Sequence, residues 1–122
     1  MNILIADDEK EAVELIKEWI VRKGYNADVA FDGKQALELI KLNKYDLVFV
    51  DHNMPEVTGL ELIKYIKQNS PDTKTVMITG YPHIADFAAK ELGADEYLTK
   101  SFKMREIDNI IDKYKSGDKK NG

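Results

Sequence analysis

The sequence predicts an α/β fold: a five-stranded parallel sheet, doubly wound, with helices on both faces. Three observations carry this. Five short apolar runs alternate with five stretches of helical apolar spacing. Runs such as Leu47 to Val50 and Val76 to Ile78 are apolar throughout, as strands covered on both faces are. The chain has 122 residues and is 43% hydrophobic, which fits one domain with a real core.

The elements follow in order. Asn2–Ala6 is an apolar strand. Asp8 caps a helix reaching about Lys23, with Ala12, Leu15, Ile16, Trp19 and Ile20 at helical spacing and Gly24 as its stop. Trp19 is assigned to core packing. Tyr25–Phe31 alternates, with Ala27, Val29 and Phe31 on one face of a strand. Asp32 caps a helix from Gly33 to about Asn43, burying Ala36, Leu37 and Ile40. Asp46–Val50 is the third strand. After a polar loop, Gly59–Asn69 is a helix with Leu62, Ile63 and Ile66 as its stripe, and Pro71 cannot continue it. Thr73–Thr79 is a strand and His83–Leu92 a helix, stopped by Gly93. Asp95–Thr99 is the last strand. Lys103–Tyr114 is the last helix, with Ile107, Ile110 and Ile111 inward. Residues 1–114 thus form the domain. Residues 115–122, Lys-Ser-Gly-Asp-Lys-Lys-Asn-Gly, read as a polar tail or the start of a linker.

Right-handed crossovers limit the topologies, but periodicity alone leaves the strand order open. Five βα units without a dinucleotide fingerprint suggest the flavodoxin-like order 2-1-3-4-5. In such sheets a site lies at the C-terminal ends of the strands where the order reverses, here between strands 1 and 3.

Composition narrows the function. The chain has no cysteine, which removes disulfides, thiolate zinc sites and cysteine nucleophiles. A net charge of −4 without clustered Lys and Arg argues against direct nucleic-acid binding by this segment. No apolar run approaches the roughly 18–20 residues of a membrane span. Met1 leads straight into a strand, not into a basic and then an apolar segment, so a cytoplasmic location is expected.

The strand ends carry the chemistry. Strand 1 runs into Asp7-Asp8-Glu9, strand 3 into Asp51, strand 4 into Thr79-Gly80 and strand 5 into Thr99-Lys100. If strands 1 and 3 are neighbours, about 4.8 Å apart, then Asp7, Asp8 and Asp51 converge. Close carboxylates repel unless a cation sits among them. Mg²⁺, a hard ion that takes carboxylates, waters and phosphate oxygens, suits such a set. A lysine and a hydroxyl on the same rim complete what phosphoryl transfer to an aspartate requires. One acidic strand end is commonly just a turn or a cap. Four strand ends supplying three carboxylates, a hydroxyl and a lysine are a different matter.

These residues carry a family resemblance over Met1 to Tyr114. Asp7-Asp8 resembles the acidic pair of two-component response-regulator receiver domains. Asp51-His52-Asn53-Met54-Pro55 with Gly59 resembles their phosphoacceptor loop. Thr79-Gly80 resembles the switch hydroxyl and its small neighbour, Tyr97 the aromatic switch and Lys100 the family lysine. The resemblance implies that Asp51 accepts a phosphoryl group from a sensor histidine kinase or a histidine phosphotransfer protein. It implies Mg²⁺ on Asp8, Asp51 and the backbone carbonyl of Asn53, with Asp7 helping through water. Thr79 and Lys100 would contact the phosphoryl group. Tyr97 would turn inward as Thr79 moves, changing the surface of helix 4, strand 5 and helix 5 for a downstream protein. Such a domain turns over no substrate beyond its own phosphorylation and dephosphorylation.

Two positions depart from the family pattern. Ser101 stands where a proline, with a cis bond, usually follows the lysine. The loop from Thr79 into the fourth helix is about one residue short. A non-proline cis bond costs about 2.5–4 kcal/mol, so a trans Lys100–Ser101 bond is expected. The alternative function is an aspartyl-nucleophile phosphatase-like enzyme, but 122 residues leave no inserted cap over a substrate. A flavin or nucleotide carrier would need a Gly-rich phosphate loop, and neither G-x-G-x-x-G nor a Walker pattern occurs. His52 and His83 are not expected to bind metal. His52 is placed on the loop beside the site, and Met54-Pro55 shape that loop.

Overall fold

The computed structural model describes residues 1–121, with side chains through residue 115. The strands are β1 (Asn2–Ala6), β2 (Asn26–Ala30), β3 (Leu47–Asp51), β4 (Lys74–Thr79) and β5 (Glu96–Thr99). The helices are α1 (Lys10–Arg22), α2 (Gly33–Leu42), α3 (Gly59–Asn69), α4 (Pro82–Leu92) and α5 (Met104–Asn121). All neighbouring strands pair in parallel, in the order β2-β1-β3-β4-β5 expected from the sequence.

The two-residue period of the strands builds two cores. Leu4, Val48, Val50 and Met77 point to the face covered by α2, α3 and α4, where Ala36, Leu62, Ile63, Ile66 and Ala88 meet them. Ile3, Ile5, Leu47, Phe49, Val76 and Ile78 point to the face covered by α1 and α5, against Val13, Ile16, Ile20, Ile107 and Ile111. Phe49 is fully buried, and truncating such a residue to Ala costs about 3–5 kcal/mol.

Local signals set most boundaries. Asp32 caps α2 as expected, its Oδ1 accepting from the Gln35 N–H at 2.7 Å. A reciprocal capping box between Thr58 and Glu61 opens α3. Several expectations are corrected. Asp8 does not cap α1: the N-cap is Glu9, and neither side chain makes a capping bond there. The buried α1 stripe is Val13, Ile16 and Ile20: Ile16 and Ile20 are as expected, Val13 takes the place given to Ala12, and Leu15 is 59% exposed. Trp19 is half-buried, not core. Its indole N–H donates to Asp108 Oδ1 at 2.8 Å, tying α1 to α5, and Lys23 Nζ meets the same oxygen at 2.6 Å. The last helix runs on past Tyr114; the side chains of the polar tail after Lys115 lie outside the described residues. Finally, the Lys100–Ser101 bond is cis, not trans. The preference of an isolated peptide yields to its surroundings: the Lys100 N–H is held by Thr79 O at 2.9 Å and Phe102 packs against the second core.

Candidate functional site

Parallel register brings the strand ends level. Ala6 lies opposite Val50 and Asp51 opposite Ile78, so Asp7 follows β1 just where Asp51 ends β3. The Asp7 N–H is held by Ala30 O at 3.0 Å, which keeps the chain beside β2 for one residue more. Asp7 is 4% exposed and Asp51 2%, whereas Asp8 is exposed. Asp7, Asp8 and Asp51 each offer a carboxylate oxygen, all within 4.8 Å of one another. Lys100, just beyond β5, sets Nζ 3.2 Å from Asp51 Oδ1 and 3.3 Å from Glu9 Oε1.

The loop after Asp51 is clamped by two close approaches. A Cβ on Gly59 would lie 2.3 Å from Asp51 O, and one on Gly33 only 1.7 Å from Val57 O. Only hydrogen fits at either position, so the starts of α2 and α3 both press on the loop that carries Asn53. A cleft of about 350 Å³ opens beside it, lined by Asp51, His52, Asn53, Thr79, Gly80, Tyr81 and Lys100. Thr79 is buried at its wall, and its Oγ1 accepts from the Tyr81 N–H at 3.1 Å. The Tyr81 ring meets His52 edge-on at 6.3 Å between centroids and His83 at 5.9 Å.

Burial governs the electrostatics. It pushes the Asp7 carboxyl up to about 6; the Glu9 N–H opposes this and the Asp51 charge adds to it. Burial also raises Asp51, against the pull of the Lys100 ammonium. Burial alone would lower the Lys100 pKa, but the charge and hydrogen bond of Asp51, with Glu9, hold it above its usual value. Three carboxylates facing one ammonium leave a net negative charge. The oxygens suit a hard divalent cation, and the buried Asp51 carboxylate faces an open cleft, where a carboxylate oxygen can act as a nucleophile.

Of the residues singled out from sequence, Asp7, Asp8 and Asp51 converge, and Asn53, Thr79 and Lys100 share a cleft with Asp51. Tyr97 stands apart from that cleft, 49% exposed on β5. Three features escaped sequence reasoning: Glu9 as a second partner of Lys100, the His52–Tyr81–His83 aromatic group, and the Gly33 contact. Glu9 directly follows Asp7-Asp8, so its place at a strand end was the available signal.

Fold and site together define an α/β phosphoacceptor signalling domain. The chain belongs to the response regulator receiver domain family, whose model matches residues 3–112. It is 36% identical over 108 residues to the transcriptional regulatory protein DltR of Streptococcus agalactiae, covering 88% of this chain and 48% of that one. It is 39% identical over 107 residues to the transcriptional regulatory protein CpxR of Escherichia coli, covering 87% and 45%. Among solved structures, the response regulator TrrA of Thermotoga maritima superposes with a TM-score of 0.81 at 36% identity, covering 93% and 97%. The chain spans about half the length of the curated relatives it matches. The phosphatase-like alternative gains no support from these relatives. Among the described residues, no helix is long and apolar enough to cross a membrane.

Proposed function

We propose that Asp51 is the phosphoacceptor and that a sensor histidine kinase or a histidine phosphotransfer protein supplies the phosphoryl group. The carrying observation is a carboxylate 2% exposed, with a lysine ammonium at 3.2 Å and two further carboxylates within reach of one cation. An Asp51 oxygen forms the new O–P bond while the donor's leaving group departs with its electron pair. Lys100 and Thr79 each face a phosphoryl oxygen, one as a cation and one as a hydroxyl donor. Asp8, Asp51 and the Asn53 carbonyl are the proposed Mg²⁺ ligands, with Asp7 acting through water. The all-oxygen donor set and its uncompensated negative charge favour this ion, as does the likeness to TrrA, a protein described in complex with Mg(2+)-BeF. When bound, Mg²⁺ neutralises charge on the phosphoryl oxygens. Tyr97 is the proposed reporter of Thr79 movement, turning inward to reshape the α4–β5–α5 surface for a downstream protein. The domain acts on no substrate other than its own acyl phosphate, binds no nucleic acid through this segment, and works in the cytoplasm; residues 1–114 are the receiver and 115–122 a tail or linker. The test is peptide mapping after incubation with acetyl phosphate and Mg²⁺. A single label on Asp51 is expected, and a label elsewhere would sink the assignment.

A further inference from the structure

Lys100 is shared. Its Nζ lies 3.2 Å from Asp51 Oδ1 and 3.3 Å from Glu9 Oε1, two carboxylates on different strand ends. Glu9 occupies the N-cap of α1, where a side chain ordinarily accepts from the first turn, yet it makes no capping bond. Its backbone N–H is fixed by Asp7 Oδ1 at 3.0 Å, which anchors the residue beside the acidic cluster. Its carboxylate instead contacts Lys100, the one lysine among the described residues that pairs with Asp51.

We propose that Glu9 is a positioning residue that competes for Lys100 and slows the loading of Asp51 by small anionic phosphoryl donors. This rests on Asp51 being the acceptor. An incoming donor brings phosphoryl oxygens that need the Lys100 ammonium. While Glu9 holds that ammonium, part of its charge is already neutralised, and a further negative charge stands 3.3 Å from it. The acyl phosphate then forms as before, with the Asp51 oxygen bonding to phosphorus and acetate leaving with its electron pair when acetyl phosphate is the donor. Glu9 takes no part in bond making; it sets how free Lys100 is when the donor arrives.

Removing the Glu9 charge should move two quantities in opposite directions. Glu9→Gln keeps the shape and removes the charge. At saturating Mg²⁺ and low ionic strength, acetyl phosphate should load this variant roughly two- to fivefold faster than the parent chain, and the gain should shrink in high salt. In the same variant, without donor, Mg²⁺ should bind about twofold more weakly by calorimetry, because the cluster has lost a nearby negative charge. A loss of fold moves both quantities the same way, and Trp19 emission reports the fold independently. Glu11→Gln is the control: Glu11 is exposed on the same helical turn and makes no ion pair or side-chain hydrogen bond among the described residues. It should give a clearly smaller gain. Equal gains from both variants, or Glu9→Gln loading no faster than the parent, would overturn the proposal. If the parent chain itself takes no label on Asp51, it is the acceptor assignment that fails instead.

Discussion

Lys100 Nζ sits 3.2 Å from Asp51 Oδ1, so an ammonium from the end of β5 compensates a nearly buried carboxylate at the end of β3. The same ammonium repels any cation entering the acidic cluster. Lys100→Met should therefore separate two functions. Mg²⁺ affinity should rise a few-fold in calorimetry, because a positive charge has gone. The rate of labelling by acetyl phosphate should fall by roughly tenfold or more, because a donor to the phosphoryl oxygens has gone with it. A variant that binds Mg²⁺ more weakly would show that Lys100 organises the cluster rather than opposing its charge.

Asp8 is the exposed member of the cluster, and its charge helps to raise Asp51. Asp8→Ala should abolish Mg²⁺ binding at concentrations that saturate the parent chain. Without metal it should be at least as resistant to heat, since like charges have been thinned. Unchanged Mg²⁺ affinity would remove Asp8 from the ligand set.

Tyr81 stands 58% exposed at the cleft mouth, edge-on to His52 and beside His83. With Asp51 as the acceptor, a ring in this position is expected to obstruct water approaching the phosphorus in line with the Asp51 oxygen. Tyr81→Ala should shorten the lifetime of the phosphorylated state several-fold, followed as loss of label after donor removal. A decay rate that holds steady or slows would rule out this gating.

The Trp19–Asp108–Lys23 link supplies a pH-dependent contact away from the site. The hydrogen bonds from Lys23 and Trp19 hold the Asp108 carboxyl below its usual range. A depressed folded pKa means that stabilisation is complete above the unfolded value, about 3.9, and fades as pH falls through the folded value. The Trp19 indole N–H resonance should thus stay constant from neutral pH to about 4 and shift only below it. Asp108→Ala should cost about 1 kcal/mol in urea unfolding, less than a buried charged hydrogen bond because the pair is partly exposed. An indole resonance that titrates near pH 6 would assign the contact to another group.

Most element bounds are legible because apolar runs, caps and Pro71 all agree; the sheet order is not in the periodicity and comes from likeness to the flavodoxin-like arrangement. α3 was read as Gly59–Asn69 and is found so. In α1, Ile16 and Ile20 are core as their spacing indicates, but Leu15 is apolar and faces outward, and sequence period cannot tell an apolar surface residue from a core one. The convergence of Asp7, Asp8 and Asp51 was legible because parallel pairing makes strand ends neighbours. The Glu9–Lys100 pair was not, since it joins residues 91 positions apart through one rotamer of each side chain. The bond after Lys100 was misjudged because intrinsic peptide preference was weighed without the contacts on either side of it.

The central claim is that this chain carries its phosphoryl group on Asp51. Intact mass after incubation with acetyl phosphate tests it most directly, for the parent chain with and without Mg²⁺ and for Asp51→Asn with Mg²⁺. One added phosphoryl group is expected on the parent with Mg²⁺, little or none without the metal, and none on Asp51→Asn. Full labelling of Asp51→Asn would contradict it.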